Sequence, residues 1–259
     1  QHQVIIQMKK QQHLTRRHFL GQTTAAGGLL IMDGLFNGVQ AANDKLNIGV
    51  VGVAGRGGSN LRGVSGENIV ALCDVDATRL AAAKKTHAKA GTYTDWRKML
   101  ERKDLDAVVC STPDHTHAIV GVNAMKTGHH LYCEKPLTHK VSEARAMAVT
   151  AAKHKRVTQM GTQIHAGDNY RRVGELVRTG AVGPINEVHV WAGATYGNVK
   201  LSESGVPPEN LDYDLWLGPL PYRPFRKEYA PFAWRNFWVF GGGTLADFWC
   251  HYSDLAFWA

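Results

Sequence analysis

The stretch Leu46-Asn47-Ile48-Gly49-Val50-Val51-Gly52-Val53-Ala54-Gly55-Arg56-Gly57-Gly58 constrains this chain more than any other. An apolar run leads straight into a glycine-dense turn. A strand covered on both faces, as in a parallel sheet, carries such a run, whereas a half-exposed strand alternates. Glycines then let backbone amides and a helix N-terminus approach a bound pyrophosphate. Read as G-x-G-x-x-G, the match is Gly52-x-Ala54-x-x-Gly57, with alanine where the backbone comes closest to phosphate. Gly55, Arg56 and Gly58 complete the turn. The motif alone leaves open a tight strand–helix turn with no nucleotide.

From Lys45 onward strand and helix patterns alternate, which points to an α/β fold with a doubly wound parallel sheet. A second apolar strand over 68–73 ends at Asp74, 22 residues past Gly52. An acid at that spacing meets the adenine-ribose hydroxyls, and its charge repels a 2′-phosphate, so NAD is favoured over NADP. The competing reading makes Asp74 a cap for the helix over 77–89. A further strand at 107–111 runs into Thr112-Pro113-Asp114-His115-Thr116-His117, at the sheet edge where ligands of such folds bind. Ser111, Thr112 and His117 are therefore candidate cofactor contacts. The next strand, 129–133, enters Glu134-Lys135-Pro136. Lys135 precedes proline and is biased to extended backbone, at the strand end where a nicotinamide arrives. It is a candidate acid–base group there, or a solvated loop lysine. Glu134 either hydrogen-bonds the cofactor or pairs with Lys135. A helix over 141–154 and a strand over 157–162 complete a first domain, residues 45–163.

Residues 164–259 read differently. A helix over 168–179 is closed by Gly180, and 187–192 alternates as a lone strand. Residues 195–240 are rich in Pro, Trp, Tyr and Phe with little periodicity, as in loops lining a cleft. A helix from 244 toward 258 places Asp247 and His251 four apart on one face, with Asp254 three residues on. A histidine beside a carboxylate is a proton acceptor suited to a hydroxyl substrate. Thr244-x-x-Asp247 also reads as a capping box, and His251 as a core histidine. Trp234, Arg235 and Tyr252 are the candidate substrate contacts. A single strand makes no sheet, so this segment is expected to be an incomplete, C-terminally truncated α+β domain.

Composition excludes several functions. The formal charge of +8 falls to 26 basic against 21 acidic side chains once residues 1–41 are set aside. No basic run interleaved with aromatics remains, so nucleic acid is not an expected partner. No stretch of 18 apolar residues suggests a membrane span. Cys73, Cys110, Cys133 and Cys250 form no C-x-x-C pair, and three of them fall in strands as small buried thiols. No metal site is indicated.

Residues 1–41 read as a leader rather than as fold, with Met8 as its start. Two lysines, then Arg16-Arg17-His18-Phe19-Leu20, a mildly apolar stretch and Val39-Gln40-Ala41 have the order of an export signal. The paired arginines resemble the twin-arginine type, whose machinery exports folded proteins. A basic tail with an accidental arginine pair is the alternative. Export to the periplasm or another extracytoplasmic space is the expected localisation. Arg16→Lys with Arg17→Lys should block it, as followed by cell fractionation.

With Glu134-Lys135-Pro136 in place, the Thr-Pro-Asp-x-x-His turn and Asp247-x-x-x-His251 become specific. Together with the first-domain pattern, they resemble the Gfo/Idh/MocA oxidoreductases, typified by glucose–fructose oxidoreductase and inositol dehydrogenase. The resemblance covers residues 45–259 and implies NAD-dependent hydride transfer at a sugar or cyclic polyol hydroxyl. It implies Lys135, His251 and Asp247 as catalytic residues, Asp247 orienting the histidine, and a homo-oligomer at full length. Export argues for a tightly held cofactor. Two alternatives stay open: a redox-neutral glycosidase or lyase that oxidises its sugar transiently, and a binding protein that holds cofactor without turnover.

Overall fold

The structure is a computed structural model and describes residues 45–193 and 196–259. The twin-arginine leader expected at 1–41 lies outside the described residues. Six strands form one sheet: β1 (Asn47–Val51), β2 (Asn68–Cys73), β3 (Gly91–Tyr93), β4 (Ala107–Cys110), β5 (His130–Glu134) and β6 (Thr158–Gly161). All neighbours run parallel, in the order β3-β2-β1-β4-β5-β6. Strand order reverses between β1 and β4, and a crevice opens there at the carboxyl ends. Between the strands run α1 (Arg56–Gly63), α2 (Ala77–Thr86), α3 (Trp96–Met99), α4 (Asp114–Lys126) and α5 (Val141–His154).

Alternation along each strand sorts the core into two layers. Val51, Cys73, Val108, Cys110, Leu131 and Cys133 pack on Val120, Met125 and Met147 of α4 and α5. Ile48, Val50, Leu72 and Val109 pack on Leu61 and Leu80 of α1 and α2. The three strand cysteines are buried free thiols, as expected, and Cys250 is half-buried.

Beyond the sheet lie α6 (Asp168–Arg178), α7 (Tyr213–Leu217), a 3-10 turn (Ala233–Asn236) and α8 (Gly243–Trp258). A second core of Tyr213, Trp216, Phe225, Tyr229, Trp234 and Phe240 gathers between them. His115 ties it to the sheet domain, its ring nitrogens lying 2.9 Å from the Trp216 carbonyl and 3.3 Å from that of Phe240. Among the described residues no helix is long and apolar enough to cross a membrane.

Three local expectations are corrected. Residues 187–192 form no strand: their alternation persists, but no described segment supplies a ladder partner, and Val188 and Trp191 are exposed. The capping box at Thr244 does not form. Helix α8 starts one residue earlier, after Gly242, and the Thr244 hydroxyl accepts from the Tyr196 amide at 2.6 Å. The cap of α2 is Asp76, which accepts from Thr78 N and Arg79 N, leaving Asp74 free for another task.

Candidate active site

The glycine turn is fixed by close approach. Gly52 has φ +81°, and a Cβ there would lie 2.7 Å from the Ser111 carbonyl oxygen. At Gly57 a Cβ would fall 1.7 Å from the Gly52 carbonyl oxygen. Gly55, at φ +57°, precedes α1. The Val53 amide donates to Asp74 Oδ2 and the Asp76 amide to Oδ1, each at 3.0 Å. Asp74 therefore pins the turn to the end of β2. Burial pushes its carboxyl above the usual range, although these two amide bonds pull it down.

A cavity of ≈ 590 Å³ opens along this edge. Gly52, Ala54, Gly55, Arg56, Asp74, Ser111, Thr112, His117 and Glu134 line it, together with Lys135, Trp234, Arg235, Asp247 and His251. Two expected site residues stand apart from it. Gly57 lies beneath the turn. Tyr252, one residue past His251 and so turned about 100° around the helix, stacks on Phe248 beside Val190 and Trp191 in a small apolar groove. His117 lines the cavity, but its ring nitrogens sit 2.8 Å from the Thr112 and Pro136 carbonyls, so it links the two motif turns.

Glu134 closes β5 and Lys135 follows it directly, and the two side chains take different partners. Glu134 Oε1 accepts from Asn60 Nδ2 at 2.7 Å and Arg56 Nε at 3.2 Å. Its Oε2 is buried with no partner among the described residues. Pairing of Glu134 with Lys135 is thereby ruled out. Lys135 Nζ instead donates to the Asp247 carbonyl at 2.7 Å and to Asp247 Oδ1. Asp247 Oδ2 accepts from Tyr196 Oη at 2.6 Å, with Arg235 Nε at 3.6 Å. Burial opposes the charge on Asp247, but hydrogen bonds from Lys135 and Tyr196 outweigh it and hold the carboxyl below its usual range. The Tyr196 hydroxyl is pushed up to about 12 by burial and by that carboxylate.

Asp247 does not orient His251. The two share a helix face, but Lys135 and Tyr196 occupy the carboxylate oxygens. His251 is buried, and its Nδ1 has no partner among the described residues. Burial, then the charge of Lys135, lowers its pKa and favours the neutral ring. Asp254 turns away and bonds His165 Nδ1 at 2.7 Å. Tyr196, Asn60 and Asp114 were missed from the sequence. Asn60 stands one turn past Gly57 on α1, a usable signal; Tyr196 sits in an aperiodic loop and gave none.

Two sequence models of one family match the chain. That described as "Oxidoreductase family, NAD-binding Rossmann fold" covers residues 46–162, and that described as "Oxidoreductase family, C-terminal alpha/beta domain" covers 176–258. This chain belongs to the Gfo/Idh/MocA oxidoreductase family. Inositol 2-dehydrogenase of Salmonella typhimurium is 30% identical over 150 residues, 56% of this chain and 45% of that protein. Myo-inositol 2-dehydrogenase from Lactobacillus plantarum superimposes with a TM-score of 0.52 at 28% identity, covering 55% of this chain and 43% of that one. Scyllo-inositol dehydrogenase from Lactobacillus casei, solved with NAD(H) and scyllo-inositol, gives 0.52 at 25%, covering 55% and 43%. The chain spans about half the length of the curated relatives it matches.

The family's NAD-binding domain fits NAD in its own residues. The turn has no room for side chains at Gly52 and Gly57, Asp74 stands at the end of β2, and Glu134 Oε2 is a buried acceptor awaiting a donor. Asp74→Ser should narrow the preference for NAD over NADP by removing like-charge repulsion of a 2′-phosphate. Titration with both cofactors checks it; tighter binding of NADP by the unaltered chain would refute the assignment.

Proposed function

We propose that the chain carries the cofactor-holding and catalytic parts of a dehydrogenase acting on a sugar or cyclic polyol. It would move hydride between a hydroxyl-bearing carbon and nicotinamide. The observation that carries this reading is the gathering of the Lys135–Asp247 pair and a neutral-favouring His251 in one cavity with the glycine turn. The names of the inositol dehydrogenase relatives support the substrate class.

When bound, NAD supplies the hydride acceptor, held by the glycine turn, Asp74 and Glu134. The chain's own residues handle the proton. An ammonium has three donors, and Lys135 spends them on the Asp247 carbonyl and carboxylate, leaving one for the substrate oxygen. That donor steadies negative charge as it develops on the oxygen. His251, which lines the cavity and is held toward its neutral form, takes the hydroxyl proton. Trp216, Phe225 and Trp234 give the cavity an apolar wall for the C–H face of a ring.

The test is direct. The full chain is incubated with a panel of hexoses and cyclic polyols, with and without added NAD, while reduced-nicotinamide absorbance is followed. Reduction by at least one member is expected, and reduction without added NAD would indicate a held cofactor. Calorimetric NAD binding with no reduction by any member would overturn the reading.

A further inference from the structure

Asp114 opens α4 just beyond β4 and is 5% exposed, yet it lines the cavity with Lys135, Asp247 and His251. The other acids of that wall are engaged. Asp247 holds Lys135 and Tyr196, Asp74 holds two amides, Asp76 caps α2, and Glu134 holds Asn60 and Arg56. Asp114 accepts no side-chain or backbone hydrogen bond from any described residue, and burial, outweighing the charge of His117, pushes its carboxyl above the usual range.

The carboxyl is nevertheless held in place. Gly241 closes on it, since a Cβ there would sit 3.0 Å from Asp114 Oδ2. Its neighbour His115 is fixed by the Trp216 and Phe240 carbonyls. A rigid, buried acid without a partner destabilises a fold unless a ligand supplies the missing group.

We propose that Asp114 is a substrate-binding residue whose carboxyl group takes a hydroxyl of the polyol or sugar seated against Lys135 and His251. This rests on the dehydrogenase reading above and adds a residue to it. A hydroxyl suits the position because it can donate to a carboxylate and accept from a carboxylic acid. Burial pushes Asp114 upward, while His117, Arg235 and Lys135 pull it down and Asp247 pushes it up. A carboxylate or phosphate on the ligand would meet repulsion there.

Asp114→Ala and Asp114→Asn are assayed with the best polyol from the panel, together with melting temperature and NAD affinity. A lost hydrogen bond to a charged group corresponds to about 10–100-fold. Asp114→Ala should raise KM by about that factor with kcat little changed, the mark of uniform binding loss. Asp114→Asn, keeping a donor and an acceptor, should recover most of it. Both variants should bind NAD normally and melt no lower than the parent, since no protein partner is lost. An unchanged KM in a folded Asp114→Ala overturns the proposal while the dehydrogenase stands. Failure of that variant to fold overturns it too, by showing a structural partner. An unaltered chain that reduces NAD with no polyol removes the underlying reading first, and the proposal with it.

Discussion

Replacing His251 with alanine should cut turnover roughly 10²–10⁴-fold while NAD still binds, because a positioned proton acceptor contributes on that scale. Lys135→Ala should fall in the same range for a second reason. Among the described residues it leaves Asp247 with Tyr196 and Arg235 around a half-buried carboxylate. The pH profile separates the two roles. His251 must be neutral to accept a proton, and burial beside Lys135 lowers its pKa from 6.5. The acidic limb of kcat/KM should therefore lie below the ordinary histidine value and vanish in His251→Ala. Asp247→Asn should impair Lys135 more than His251, so its activity should drop while the acidic limb persists. A His251→Ala protein with near-normal turnover on the true substrate would end the assignment.

Gly57→Ala should be the most damaging single-methyl change in the cofactor turn. The added Cβ would fall 1.7 Å from a backbone oxygen, and backbone cannot swing aside as a side-chain tip can. Overpacking of that kind costs roughly 3 kcal/mol, or a fall of roughly 6–12 °C in melting temperature for a chain this size. NAD binding should weaken with it, because the turn must open to admit the methyl. Gly63→Ala at the end of α1 is the control, since its Cβ meets nothing within 4 Å. Its melting should stay within the small range of an exposed helix substitution. Equal melting of Gly57→Ala and the parent would contradict the close approach.

What was readable in the sequence was whatever a period or a fixed spacing encodes. Five of the six parallel strands follow from apolar runs separated by helix patterns, and Lys135, Asp247 and His251 from short motifs at strand and helix ends; β3, only Gly91–Tyr93, carries no apolar run and was not readable. Partnerships across the fold were not readable. Four-residue spacing placed Asp247 beside His251, but Lys135, just past the end of β5, and a loop hydroxyl at Tyr196 reached the carboxylate first. The same limit applies to 187–192, whose alternation names two faces and says nothing of a partner strand. Asp114 was visible within its motif, yet its lack of partners emerges only once α7 and the aromatic core close around it.

The different partners of Glu134 and Lys135 bear on how such a protein can change over generations. One residue of slippage in β5 would exchange a buried acceptor for an ammonium, putting a positive charge where the glutamate oxygen now waits and stranding Asp247 without its cation. The sheet edge is thus a ratchet with one permitted tooth, closed to insertion and deletion. New substrates would have to be acquired through the Pro- and aromatic-rich segment at 196–240, which reaches the cavity through Tyr196, Trp216, Phe225 and Trp234 without setting strand register. Diversification should accumulate in that segment while the dipeptide stays still.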